Sequence, residues 1–119
     1  MADPLIAVVG VCAAGKTTLA GALRARGLDV RQVLQEHSYV PSMWQRITKP
    51  DLLVYLDASL DTVRNRKNDP EWPEWLYGEQ VKRLRHARAC CDLYLQTDSL
   101  TPAQVLERTL GFLERGNLF

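Results

Sequence analysis

Four short apolar runs punctuate the chain, at residues 5–9, 28–34, 52–56 and about 93–96. Between them lie stretches long enough for a helix. Strand-like runs alternating with helical segments predict a parallel sheet with helices on its faces. The run Asp51-Leu52-Leu53-Val54-Tyr55-Leu56 is nearly continuously apolar, as a central parallel strand covered on both sides must be. The expected fold class is therefore α/β, a three-layer α/β/α sandwich around a small parallel sheet of about four strands.

Helix boundaries are written into the intervening segments. Thr101-Pro102-Ala103-Gln104 is a capping box with proline at the first helical position. After it, Val105, Leu106, Thr109, Leu110 and Leu113 fall on one face. Ser59 reads as an N-cap, with Asp61 in a first turn that favours negative charge. That helix is expected to end near Asn68-Asp69-Pro70. Residues 77–91 predict a single helix with Tyr77, Val81, Leu84 and Cys91 on its buried stripe and Lys82, Arg83, Arg85 and His86 opposite. Residues 36–49 show no clear strand, and 42–48 predict a short helix. No internal repeat, low-complexity stretch or linker divides the chain.

With 119 residues, the chain is long enough for one domain with one core. A net charge of +1 gives no electrostatic argument for nucleic acid or an acidic membrane. No apolar run approaches membrane-spanning length, and the N-terminus lacks a signal-peptide pattern. Three cysteines, Cys12, Cys90 and Cys91, cannot all pair internally and suit a reducing, cytoplasmic setting.

The chemistry is carried by Gly10-Val11-Cys12-Ala13-Ala14-Gly15-Lys16-Thr17, which fits G-x-x-x-x-G-K-[ST] at every fixed position and is followed by Thr18. A strand run precedes it and a helix over residues 17–26 follows, the context a phosphate-binding loop needs. Glycines let successive N–H groups turn inward, and those groups with the helix N-terminus make a concave anion site. Lys16 would reach the β- and γ-phosphates, and the Thr17 hydroxyl would ligate Mg2+. The alternative is a chance match on a glycine-rich turn, expected in well under about 1% of chains of this length. Cys12, inside the loop, reads as a small filler side chain.

The order of parts resembles the P-loop nucleoside and nucleotide kinases, a superfamily that includes deoxynucleoside kinases, thymidylate kinase and shikimate kinase. The resemblance runs over most of the chain and is specific in three places. These are the loop just described, Pro50-Asp51-Leu52-Leu53-Val54-Tyr55-Leu56-Asp57-Ala58-Ser59, and Cys91-Asp92-Leu93-Tyr94-Leu95-Gln96-Thr97-Asp98-Ser99-Leu100-Thr101-Pro102. The resemblance implies a P-loop kinase-like fold and an ATP- and Mg2+-dependent transfer to a small molecule, a nucleoside or nucleotide among others. It implies that Arg66 packs on the adenine ring, that residues 64–77, with Trp72 and Trp75, take the place of a lid, and that Thr97 and Asp98 lie near the adenine edge. It further implies that Glu36 acts as base toward the acceptor hydroxyl. Such kinases carry an acceptor-binding helical insert and a further strand before the stretch matching Pro50. Here only residues 35–49 are available, so that subdomain is expected to be absent or much reduced.

Several side chains carry two readings. Asp57 ends an apolar strand and reads in isolation as a second metal-holding carboxylate beside Thr17; it equally reads as the cap of the turn at Ser59. Glu36 and His37 adjoin the end of the second strand, on the side where ligands bind in open parallel sheets; a solvated loop is the alternative. Arg64 and Arg66 are expected to contact ligand and to stabilise transferring phosphoryl oxygens. The remaining basic residues up to Arg88 read as a solvated face. Trp72-Pro73-Glu74-Trp75 is aromatic enough to close over a base or to meet a second copy, so a homodimer is among the expectations. The functional expectations are a compact phosphotransferase, with Lys16, Glu36, Arg64 and Arg66 as its working residues, or a nucleotide-binding or slow NTPase module without a dedicated acceptor.

Overall fold

The computed structural model describes residues 4–116. Four strands, β1 (Leu5–Gly10), β2 (Asp29–Gln32), β3 (Leu52–Asp57) and β4 (Leu93–Gln96), form one all-parallel sheet in the order β2-β1-β3-β4. Six helices accompany them: α1 (Lys16–Ala25), α2 (Met43–Ile47), α3 (Leu60–Lys67), α4 (Glu74–Arg83), α5 (Arg85–Cys90) and α6 (Pro102–Arg115). A 3-10 turn, Gln35–His37, follows β2. The α/β class and the four parallel strands agree with the expectation from the pattern. Among the described residues no helix is long and apolar enough to cross a membrane.

The two inner strands are the most apolar. β1 and β3 bury Ile6, Ala7, Val8, Val9, Leu53, Val54, Tyr55 and Leu56 almost completely, as strands covered on both faces require. Right-handed crossovers fix which face each helix covers. The step from β1 to β2 runs one way across the sheet, and the steps to β3 and β4 run the other way. The connecting helices therefore lie on opposite faces, compatible with a three-layer sandwich. α1 packs against α6, while α5 packs against β3 and α4 against the 3-10 turn.

Local signals operate as read. Ser59 accepts the Thr62 N–H, Asn68 ends α3 in the left-handed conformation, and Thr101 and Gln104 form the reciprocal capping box of α6. The helix over residues 77–91 differs. It begins earlier, after Pro73, and is broken at Leu84 into α4 and α5. The Arg83 carbonyl accepts a hydrogen bond from Gln35 Nε2 at 3.2 Å. A side chain inserted into the ladder interrupts a helix in this way. Arg83 and His86, expected on the solvated face, are half-buried: Arg83 stacks under Tyr39, and His86 Nδ1 accepts from Trp44 Nε1.

β2 is shorter than its apolar run, because Leu34 turns outward and the chain enters the 3-10 turn. No described strand lies between β2 and β1; the two pair directly, from Leu5 with Asp29 to Val8 with Gln32. Residues 35–49 hold only the 3-10 turn and α2. Gln35, fully buried, ties this segment down: its amide nitrogen donates to Val40 O and its oxygen accepts the Trp44 N–H.

Candidate functional site

The loop between β1 and α1 is shaped by backbone demands that its glycines meet. A Cβ at Gly10 would stand 2.1 Å from the Leu56 carbonyl oxygen, so β1 and β3 can pair there only without a side chain. Gly15 caps α1 at φ 102, in the left-handed region. The first helical bond runs from Leu19 N–H to Gly15 O at 3.0 Å. The amides from Gly15 to Thr18 therefore have no acceptor within the helix and face the ligand side of the turn.

This turn opens onto a cleft of about 580 Å3. Its floor is the loop and the first turn of α1, from Cys12 to Leu19. One end is closed by Gln32 and Glu36. The other runs past Arg66, Lys67 and Thr97 to the apolar side chains of Leu100, Pro102 and Val105. Parallel pairing brings these parts together, since all the contributing loops leave the C-terminal ends of their strands.

Lys16 is nine-tenths buried and fully engaged. Its ammonium donates to Gly10 O at 2.8 Å and Val11 O at 2.9 Å, and meets Glu36 Oε2 at 2.7 Å. Glu36 is 2% exposed, and its other oxygen, Oε1, has no partner. The Glu36 carbonyl accepts from Arg83, which holds the 3-10 turn against α4. Thr17 donates its hydroxyl proton to Gln32 Oε1 at 3.0 Å, leaving the oxygen lone pairs uncommitted. An oxygen with free lone pairs and an unpartnered carboxylate oxygen at one end of the same cleft fit a hard divalent cation that also holds phosphate oxygens.

Arg66 spans the cleft. Its guanidinium donates to Ala13 O at 2.9 Å and to both the hydroxyl and the carbonyl of Thr97, at 3.0 and 2.7 Å. It thus locks the β1–α1 loop to the β4–α6 loop.

The remaining expected residues are placed elsewhere. Arg64 does not line the cleft; its Nε donates to Trp72 O at 2.9 Å and holds the turn between α3 and α4. Trp72 is buried in the core with Lys67 over its ring, whereas Trp75 is 70% exposed. The segment over residues 64–77 is thus pinned through Trp72. Asp57 is also absent from the lining: its carboxylate accepts from the Ala58 N–H and the Tyr94 hydroxyl. Asp57 thus binds the amide next to it, while the Ser59 N–H goes to Asp98 Oδ1. Burial and the Asp57 hydrogen bond push the Tyr94 phenol up to about 12. Asp98 does not line the cleft; its carboxylate faces the Ser59 turn. Burial alone would raise its pKa, yet the Ser59 N–H and hydroxyl, Gln96 and Thr62 outweigh it and hold the carboxyl below its usual range.

Two side chains gained meaning only in the folded chain. Gln32 orients Thr17. Gln80, fully buried on α4, accepts the Cys12 N–H at 3.0 Å and donates to Cys12 Sγ at 3.1 Å, so it holds the loop from behind. The signal for Gln80 was a polar residue interrupting an apolar helical stripe.

No protein-family model matches this chain, and the curated proteins contain no match to it.

Proposed function

We propose that the chain is a compact P-loop phosphotransferase of the nucleoside and nucleotide kinase type, using ATP with Mg2+ and a small-molecule acceptor. The observation that carries this reading is the continuity of the cleft. It runs from unsatisfied amides at a helix N-terminus, past a buried lysine, to an end lined by Arg66, Leu100, Pro102 and Val105. That order of an anion site followed by a flat apolar site suits a nucleoside triphosphate.

Each working residue has a defined part. The amides from Gly15 to Thr18 bind phosphate oxygens, aided by the positive end of α1. Lys16 moves from Glu36 to the terminal phosphates, where its charge offsets that of the transferring group. Thr17, oriented by Gln32, and Glu36 Oε1, through water, would hold Mg2+; when bound, the ion neutralises charge on the phosphate oxygens. Arg66 lies over the base, and Leu100, Pro102 and Val105 line its other face. Once Lys16 has left, Glu36 Oε2 is the oxygen that would take the acceptor hydroxyl proton, with Mg2+ reached from Oε1 only through water. Arg64 and Asp57 act on the scaffold in this reading.

The test has two arms. Lys16→Ala abolishes ATP binding in calorimetry, and unchanged affinity in that variant refutes the site. A screen of nucleosides, sugars and small alcohols with ATP then looks for acceptor-dependent ADP release.

A second reading is a nucleotide-binding or slow NTPase module. The observation favouring it is the tight anchoring of the short segment over residues 35–49 through Gln35 and Trp44. Saturable ATP binding without stimulation by any acceptor selects this reading.

A further inference from the structure

Cys12, Glu36 and His37, the first two in the cleft lining and the third beside them, bring a thiol, a carboxylate and an imidazole together. Their ligand atoms all lie within 4.8 Å of one another. The three come from two adjacent turns, one after β1 and one after β2, fixed by the β1–β2 pairing and its extension from Val33 N–H to Val8 O.

The two Glu36 oxygens are in different situations. Oε2 meets Lys16 at 2.7 Å and stands 3.9 Å from His37 Nε2, while Oε1 is buried and has no partner. A buried carboxylate oxygen left without a donor or cation carries a desolvation cost that a bound cation would remove. Cys12 Sγ accepts the Gln80 amide hydrogen bond at 3.1 Å, a contact that fixes where the sulfur stands in the loop. His37 is 54% exposed and has room to turn inward. Thiolate, imidazole and carboxylate together form a borderline-soft donor set, suited to zinc and not to the oxygen-seeking Mg2+ or Ca2+.

We infer that Cys12, Glu36 and His37 form a three-ligand zinc site, in which the Glu36 carboxylate is shared between the metal and the Lys16 ammonium. Binding displaces the Cys12 thiol proton to solvent and makes a sulfur–zinc bond in its place. Zinc bonds of about 2.0–2.3 Å bring ligand atoms closer than they stand here, and rotation of His37 supplies the movement. The site does not rest on the phosphotransferase reading. If both hold, zinc takes the carboxylate that phosphoryl transfer needs, and so inhibits it.

The test uses the full chain with Cys90→Ser and Cys91→Ser, because Cys90 Sγ lies 3.9 Å from His86 Nε2 and offers zinc a rival pair. Zinc is titrated against a chromophoric chelator with no nucleotide present, and Co2+ is titrated alongside to read thiolate charge-transfer absorption. The expected result is about one equivalent bound, with Cys12→Ser and His37→Ala each weakening zinc by at least about ten-fold, the cost of losing even an outer-shell partner. The Co2+ thiolate band vanishes in Cys12→Ser. Because His37 is exposed, His37→Ala keeps the fold and carries the test if Cys12→Ser fails to fold. Absence of zinc binding overturns the site. So does unchanged affinity in the His37 and Cys12 variants, including the case where Glu36→Gln alone weakens it.

Discussion

Replacing Glu36 with glutamine should make the protein less stable and its phosphate site tighter at the same time. The Lys16 ammonium and Glu36 Oε2 stand 2.7 Å apart, at 6% and 2% exposure. Removing one partner of a buried ion pair costs about 3–5 kcal/mol, because the other charge is left uncompensated. Lys16 keeps the Gly10 and Val11 carbonyls, which puts the cost near the lower end, about 3 kcal/mol. For a chain of this size that lowers the melting temperature by roughly 10 °C. Binding moves the opposite way. A polyphosphate must first draw Lys16 from Glu36, and a charge-assisted hydrogen bond is worth about 1.5–3 kcal/mol net. Without that competitor, affinity for tripolyphosphate or ATP should rise roughly ten-fold. The assay is calorimetry with a chelator present, so that no divalent cation obscures the comparison, beside thermal melting followed by circular dichroism. Phosphoryl transfer in the same variant should fall, since the carboxylate base is gone. A merely damaged protein would lose stability and affinity together. Unchanged melting with equal or weaker tripolyphosphate affinity refutes the idea that Glu36 holds Lys16 in reserve.

Three other outcomes follow from the geometry. Arg66→Ala should weaken ATP by about ten-fold and tripolyphosphate by clearly less, because Arg66 also lines the apolar end of the cleft besides holding Ala13; equal losses for both ligands in calorimetry would contradict a contact with the base. Gln80→Leu should lower stability by about 2 kcal/mol in urea denaturation, since the Cys12 N–H loses its buried acceptor; no change would mean the loop is held otherwise. Tyr94 is raised in the folded state by burial and by Asp57, so folding keeps its proton where the unfolded chain releases it. That contribution is complete below the ordinary tyrosine pKa and is lost as pH rises toward about 12; Tyr94→Phe should flatten the alkaline fall of stability measured by urea midpoints.

The sheet was legible because its signals are local. Continuous apolar runs at residues 5–9 and 52–56 mark strands covered on both faces wherever they fold. Ser59, Asn68 and Thr101 define helix ends through contacts within a few residues. The break at Leu84 was not legible, since it depends on Gln35, far away in sequence, inserting into the helix. The basic run from Arg64 to Arg88 was ambiguous for the same reason. Only distant partners separate Arg66 in the cleft from Arg64 under Trp72, and Arg83 beneath Tyr39 from a solvated side chain.

By itself the sequence determined the glycine-spaced loop, the strands on either side of it in the sheet, and the caps of α3 and α6, because each depends on backbone freedom or on neighbours one turn away. Tertiary structure decided which carboxylate stands by Lys16. Parallel pairing of β1 with β2 brings Glu36 to the ammonium, while Tyr94 and the Ala58 amide occupy Asp57. A buried charge takes its partner from whatever the packed elements deliver within hydrogen-bond reach, and that delivery is not written in local sequence.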